Sequence, residues 1–153
     1  MDYITAITLA AKQVGVSASI LVAVCSHESG GFRYNHNEND KGTPSFGACQ
    51  VKEATALQME FKLNRKQLSD PKINAMIAAK YLKWQLNQYD NDYCHAVAAY
   101  NSGTYFESKT GLPKNIKYVQ AVKDLIEDES ERKLLNCKTT SEGNDLKVAV
   151  DWQ

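Results

Sequence analysis

The stretch SASILVAVCSHES, residues 17–29, decides how the rest of the sequence is interpreted. Ser17 is a good helix N-cap, and the residues from Ala18 to about Ser29 are apolar nearly all round. A helix of this kind is buried, so we expect it to be the central helix of the fold. Glu28 lies at its C-terminal end, where burial and the helix dipole would both raise the pKa of the carboxyl. Such a carboxyl can act as a general acid, although most glutamates are simply solvated surface residues.

Capping residues and apolar spacing predict five further helices, over residues 2–14, 52–61, 72–89, 92–100 and 113–135. Residues 30–47 are rich in glycine and polar side chains, which indicates irregular structure with room for short strands. The only sustained alternation is LKVAVDW, residues 146–152, which is compatible with a short strand. We therefore expect a mainly α protein with minimal β structure, in which residues 1–136 form a single domain and residues 137–153 a C-terminal tail.

Composition narrows the classes of function. A chain of 153 residues with 43% hydrophobic and 24% charged residues suits one globular domain. Its 18 basic and 18 acidic residues cancel, so no overall field would attract nucleic acid or an anionic membrane. No run approaches the roughly 18 apolar residues of a membrane span. We expect a monomer without nucleic-acid or membrane partners. Asp2 stands where a signal peptide has basic residues, so we also expect synthesis without one.

The four cysteines are Cys25, Cys49, Cys94 and Cys137. No two of them have the C-x-x-C spacing of a zinc or redox motif, so we expect no metal and no cofactor. Cys25 and Cys94 fall in apolar helical patterns, which favours buried free thiols, and a disulfide remains the alternative.

Four short motifs follow one another along the chain. They are Glu28-Ser29 at a helix end, the turn Gly47-Ala48-Cys49-Gln50 before Ala54-Thr55-Ala56, Ala99-Tyr100-Asn101-Ser102-Gly103, and Tyr118-Val119. In this order and spacing they resemble the soluble lytic transglycosylase family of the lysozyme-like superfamily. The resemblance covers roughly residues 14–122 and includes Asp70-Pro71 and the later Ala79-x-Tyr81-Leu82. It implies a lysozyme-like fold.

The resemblance also implies a reaction and a site. The substrate would be the peptidoglycan glycan strand, cut at its MurNAc-GlcNAc β-1,4 bond with formation of 1,6-anhydro-MurNAc. Glu28 would be the catalytic acid and base, with no metal or cofactor. The residues implied in substrate binding are Ser29, Asp40, Phe46, Gln50, Tyr100, Asn101 and Tyr118. Simpler roles are open for some of them: a core position for the two tyrosines, a helix cap for Gln50 and a turn residue for Asp40.

Two positions depart from the family pattern or add to it. Cys49 replaces the methionine of the usual Gly-Leu-Met-Gln turn, which puts sugar contact there in doubt. The segment around Asp40 is also similar to goose-type lysozymes, in which an aspartate helps to hold the attacking water, although Lys52 replaces their other aspartate. A muramidase that hydrolyses the same bond is therefore the first alternative, and a non-catalytic glycan-binding module is the second.

The expected absence of a signal peptide favours a phage-type enzyme that reaches the cell wall from the host periplasm, as an endolysin or as a virion-associated enzyme. A secretion-system accessory enzyme is a further possibility.

Overall fold

The structure is a computed structural model that describes residues 2–33 and 36–139. These residues are mainly helical and carry one two-stranded antiparallel sheet, which confirms the expected fold class. They fall into two compact units, an N-terminal unit that ends at Trp84 and a C-terminal unit that begins at Gln85. The elements in chain order are α1 (Tyr3–Val14), α2 (Ala18–Glu28), β1 (His36–Asp40), β2 (Thr43–Phe46), α3 (Glu53–Gln58), α4 (Arg65–Leu68), α5 (Pro71–Gln88), α6 (Tyr93–Ser102), α7 (Ile116–Asp124), α8 (Glu129–Arg132) and a 3₁₀ helix (Lys133–Leu135).

The first two helices begin and end close to the predicted residues, and they pack against each other. Gly15 ends α1 with a φ of +90°, a conformation that costs glycine little. The side chain of Ser17 caps α2 by accepting a hydrogen bond of 3.1 Å from the Ile20 N–H. The apolar interior of α2 from Ile20 to Cys25 is largely buried, as its composition predicted.

A short hairpin occupies most of the segment that sequence patterns left irregular. Its strands pair Asp40 with Thr43 at the turn, and the register is irregular between Asn37 and Asp40. The two turn residues, Lys41 and Gly42, have φ values of +53° and +93°. Two consecutive left-handed residues are typical of the tight hairpin turn that matches the twist of the strands.

Two details of the N-terminal unit differ from expectation. The four-residue helix α4 was not predicted, because it is too short to show a period; it is nucleated by a capping box between Asn64 and Gln67. The apolar spacing of residues 72–89 also predicts an inward position for Trp84, but 37% of its surface is exposed. Its ring stacks on Tyr81 with centroids 6.3 Å apart, and so large a ring is rarely covered completely.

The C-terminal unit has two predicted features, of which one is confirmed and one is wrong. Asp92 caps α6 by accepting a hydrogen bond of 3.1 Å from the His95 N–H, as expected. The long last helix expected over residues 113–135 is instead divided into α7, α8 and the 3₁₀ helix. Asp128 starts α8 by accepting hydrogen bonds from the N–H and hydroxyl of Ser130, at 2.9 and 2.7 Å. These bonds lower the pKa of Asp128, and an aspartate in this role favours a new helix start over continuation.

All four cysteines are paired, so the expectation of buried free thiols at Cys25 and Cys94 is wrong. One disulfide joins Cys25 to Cys49 in the N-terminal unit, and the other joins Cys94 to Cys137 in the C-terminal unit. The second bond ties the first residue of the expected tail to α6. Residues 140–153, including the possible strand at 146–152, lie outside the described residues, so the tail remains a prediction.

Within the part of the chain that the structure describes, no helix is both long and apolar enough to cross a membrane.

We predict that removing either disulfide destabilises the protein by a similar amount. The bonded cysteines are 24 and 43 residues apart. Loop-closure entropy for rings of these sizes corresponds to roughly 3 to 4 kcal/mol each. Urea unfolding of Cys25→Ala/Cys49→Ala and of Cys94→Ala/Cys137→Ala should show this loss. A free energy of unfolding equal to that of the wild type in either variant would contradict the prediction.

Candidate active site

Glu28 is the last residue of α2, and its position follows from how the helix ends. Ser29 is the C-cap, and Gly30 and Gly31 then take φ values of +62° and +77°, which no helix can accommodate. The Glu28 side chain is half-buried, and its Oε2 atom is shielded from solvent. The sequence-based expectation that a carboxyl ends this buried helix is thus matched by a partly desolvated carboxyl.

Ser29 holds the chain directly after Glu28. It is fully buried, and its hydroxyl donates to the Cys25 carbonyl at 2.9 Å while it accepts from the Phe32 N–H at 3.0 Å. The Ser29 N–H also donates to the Cys25 carbonyl, at 3.0 Å. The hydroxyl therefore acts within the protein, where it fastens the end of α2.

The predicted Gly-x-x-Gln turn is present, and the Gln50 side chain closes it. Phe46 and Val51 exchange two backbone hydrogen bonds of 2.9 and 2.8 Å across the turn. The Gln50 amide donates from Nε2 to the Gly47 carbonyl at 2.8 Å, and its Oε1 accepts from the Ser45 hydroxyl at 2.7 Å. Gln50 is 7% exposed, and it does not cap α3, which begins at Glu53 after Lys52. Both ends of the Gln50 amide therefore make hydrogen bonds within the turn.

Sequence analysis missed the side chain that holds this turn in place, Asn74 of α5. Its Nδ2 donates to the carbonyls of Phe46 and Leu68, both at 2.8 Å, and its Oδ1 accepts from the Cys49 N–H at 2.9 Å. Asn74 is fully buried. The available signal was a lone amide in the apolar run INAMIAA, because a polar group inside such a run must find partners in the fold.

Phe46 and Asp40 occupy the hairpin in different environments. Phe46 is a buried core residue whose ring lies 5.0 Å from that of His36 and 5.3 Å from the guanidinium carbon of Arg65. Asp40 ends β1 and is half-exposed, and its backbone carbonyl accepts from the Lys52 ammonium at 2.6 Å. Lys52 therefore fastens the end of β1.

The remaining predicted site residues belong to the C-terminal unit. Tyr100 and Asn101 lie near the end of α6, Tyr118 lies near the start of α7, and all three are half-buried. Asn115, which sequence analysis did not single out, donates from Nδ2 to the Ala98 carbonyl at 3.0 Å and to Asn101 Oδ1 at 3.1 Å. This amide brings the Asn101 side chain to the beginning of α7.

A cluster of rings supports the loop that follows α6. The Tyr105 ring meets the His95 ring edge-on at 3.9 Å, and the Tyr105 N–H donates to the Tyr89 hydroxyl at 2.9 Å. Burial, followed by the charge of Glu107, raises the pKa of Tyr105 to about 12. Tyr105 therefore stays protonated and neutral throughout the physiological range.

The predicted site residues thus fall into two sets. Within the N-terminal unit, the Cys25–Cys49 disulfide brings the helix end that carries Glu28 to the turn that carries Gln50. Within the C-terminal unit, Asn115 joins the end of α6 to the start of α7. Among residues 2–33 and 36–139, no cluster of three or more histidine, cysteine, aspartate or glutamate side chains could hold a metal ion.

Comparison with known proteins identifies the family. The transglycosylase SLT domain family matches residues 5–122. This chain belongs to the SLT domain family. The match spans all of the motifs from Glu28 to Tyr118, so the identification made from those motifs is confirmed.

A solved structure supports the same fold. The SLT domain is similar to lytic transglycosylase Slt from Pseudomonas aeruginosa, known from an X-ray structure of an inactive glutamate-to-glutamine mutant, with a TM-score of 0.55 and 19% sequence identity. The similarity covers 86% of this chain but 22% of that protein. The SLT domain described here therefore spans about a fifth of the length of that relative.

We predict that Gly47→Ala is far more destabilising than Gly31→Ala. Both glycines have a φ of +77°, so both substitutions impose the same backbone strain of about 1 to 2 kcal/mol. A Cβ at Gly47 would lie 2.3–2.7 Å from three atoms of the Asn74 side chain, whereas a Cβ at Gly31 would meet nothing within 4 Å. Overpacking should add about 1 to 3 kcal/mol at Gly47 alone. Urea unfolding measures both variants, and equal losses would show that the contact with Asn74 is unimportant.

Proposed function

We propose that this SLT domain is a peptidoglycan lytic transglycosylase that cleaves the MurNAc-GlcNAc β-1,4 bond, with Glu28 as its catalytic acid and then its base. The observation that carries the proposal is the half-buried carboxyl at the end of α2, in a chain whose family is the transglycosylase SLT domain. A carboxyl partly withdrawn from water, at the negative end of a helix, is suited to holding a proton and delivering it.

In the proposed reaction, one carboxyl serves both steps. Glu28 gives its proton to the glycosidic oxygen as the bond from that oxygen to C1 of MurNAc breaks. The N-acetyl group of the substrate meets the positive charge that develops at C1. The Glu28 carboxylate then takes the proton of the C6 hydroxyl, whose oxygen bonds to C1 and closes the 1,6-anhydro ring. No second protein carboxylate is needed, because the C6 hydroxyl of the substrate is the nucleophile.

The other predicted site residues are proposed to act in two ways. Tyr100, Asn101 and Tyr118 are half-buried, so each retains surface with which to contact sugar. The side chains of Ser29, Phe46 and Gln50 are buried, and two of them are engaged in internal hydrogen bonds. We propose that these three support the site by holding its backbone.

Hydrolysis is the second candidate, because Asp40 offers a half-exposed carboxylate at the hairpin turn of the unit that contains Glu28. A water held by such a carboxylate would replace the C6 hydroxyl as the nucleophile and leave a reducing end.

We further propose that the chain acts on the cell wall as a monomer. Its role as a phage endolysin or virion-associated enzyme remains a prediction.

Glu28→Gln should abolish activity on purified peptidoglycan without unfolding the protein. Glutamine keeps the size of the side chain but cannot release a proton, and general acid–base catalysis is worth roughly 10²- to 10⁴-fold in rate. The relative from P. aeruginosa was likewise studied as an inactive glutamate-to-glutamine mutant. Release of soluble muropeptides and thermal melting are the measurements. Wild-type activity in a folded Glu28→Gln variant would end the proposal.

Mass spectrometry of the products separates the two candidates. We expect MurNAc ends that are lighter than reducing ends by one water, and we expect Asp40→Asn to leave both rate and product unchanged. Reducing ends, together with loss of activity in Asp40→Asn, would instead identify a hydrolase.

A further inference from the structure

The Cys25–Cys49 disulfide lies one helical turn before Glu28. Cys25 precedes Glu28 by three residues in α2, and residues at this spacing occupy the same face of a helix. Both cysteines are fully buried. The covalent anchor of α2 is therefore at the turn of the helix that carries the proposed catalytic carboxyl.

The Cys49 end of the disulfide is also held in place, by hydrogen bonds to Asn74. The Cys49 N–H donates to Asn74 Oδ1 at 2.9 Å, and the Nδ2 of the same side chain binds the Phe46 carbonyl at 2.8 Å. Asn74 lies on the 18-residue helix α5 and is fully buried. The turn that supplies Cys49 is thus fastened to a long helix by an amide that solvent does not reach.

On the other side of the disulfide, hydrogen bonds connect Cys25 to Ser29, the residue after Glu28. The Cys25 carbonyl accepts two hydrogen bonds from Ser29, one from the N–H at 3.0 Å and one from the hydroxyl at 2.9 Å. Glu28 therefore lies between Cys25, which the disulfide holds, and Ser29, which two hydrogen bonds hold. Its backbone has little freedom to shift along or around the helix axis.

We propose that the Cys25–Cys49 disulfide, backed by Asn74, is a positioning element for Glu28; this inference rests on the proposed function. Neither cysteine touches substrate in this role, because neither has exposed surface. The Cys49 side chain faces the protein interior, where it is fully buried. A misplacement of about 1 Å at a reacting group can cost up to 10²-fold in rate, so loss of the link should slow the chemical step.

The test compares two variants, each of which lacks one of the two disulfides and keeps the other. Cys25→Ala/Cys49→Ala should lower kcat by about 10- to 100-fold with KM within about twofold of the wild type. Cys94→Ala/Cys137→Ala removes the other disulfide, in which Cys94 is buried and Cys137 is half-buried, and it should keep the wild-type kcat. Both are assayed on purified peptidoglycan at a temperature well below their melting points, so that a general loss of stability affects them alike.

Each outcome has a distinct meaning. Equal kcat in the two variants, or a change confined to KM, would overturn the positioning role while the wild-type enzyme remained active. Absence of activity from the wild type and from both variants would remove the proposed function, and this inference with it. If Cys25→Ala/Cys49→Ala does not fold, Cys49→Ala alone keeps the Cys25 thiol in the core, and it should show the same loss of kcat. An undiminished kcat in that variant would also overturn the inference.

Discussion

Three hydrogen bonds made by one buried amide hold together the part of the structure on which the proposed site depends. Asn74 binds two carbonyls and one N–H from the segment between Phe46 and Leu68, and its side chain is fully buried. A buried amide with all these partners stabilises one arrangement of the chain, because any other arrangement leaves polar groups unsatisfied. Gly47 makes the contact possible, since a side chain there would occupy the space of the amide.

The catalytic carboxyl that we propose owes its place to two opposing requirements. The apolar residues of α2 draw the helix into the interior, while Ser29 and two left-handed glycines stop it immediately after Glu28. Burial of these apolar side chains is favourable, and it brings the carboxyl of Glu28 into a partly buried position. The disulfide and the double hydrogen bond to the Cys25 carbonyl keep that last turn from fraying, as free helix ends commonly do.

The C-terminal unit uses amides for the same purpose at the end of α6. Gln85 donates to the Gly103 carbonyl at 3.1 Å, and Asn115 donates to the Ala98 carbonyl and to Asn101. Helix ends leave backbone groups without intrahelical partners, and side-chain amides satisfy them. The residues proposed to bind sugar, Tyr100, Asn101 and Tyr118, therefore extend from helix ends whose geometry is set by hydrogen bonds rather than by loop conformation alone.

Helix starts and stops were largely determined by the sequence itself. Ser17, Gly15 and Asp92 act through hydrogen bonds to residues three or four positions away in the chain, so their effect can be predicted without knowledge of the fold. Asp128 carries the same local signal, but the predicted long helix ran across it, and that prediction was wrong. The order of the motifs likewise identified the family and the candidate carboxyl.

Only the tertiary structure decided which distant residues meet. The pairing of Cys25 with Cys49 joins residues 24 positions apart, and the bond from Asn74 to Cys49 spans 25. Neither contact has a local signature, because each depends on where α2, the turn and α5 come to lie after the core has packed. For the same reason the sequence could assign Gln50 to the site, but it could not show that the Gln50 amide makes its hydrogen bonds within its own turn. Local propensity acts over one helical turn, whereas burial and long-range hydrogen bonding act only once the chain has folded.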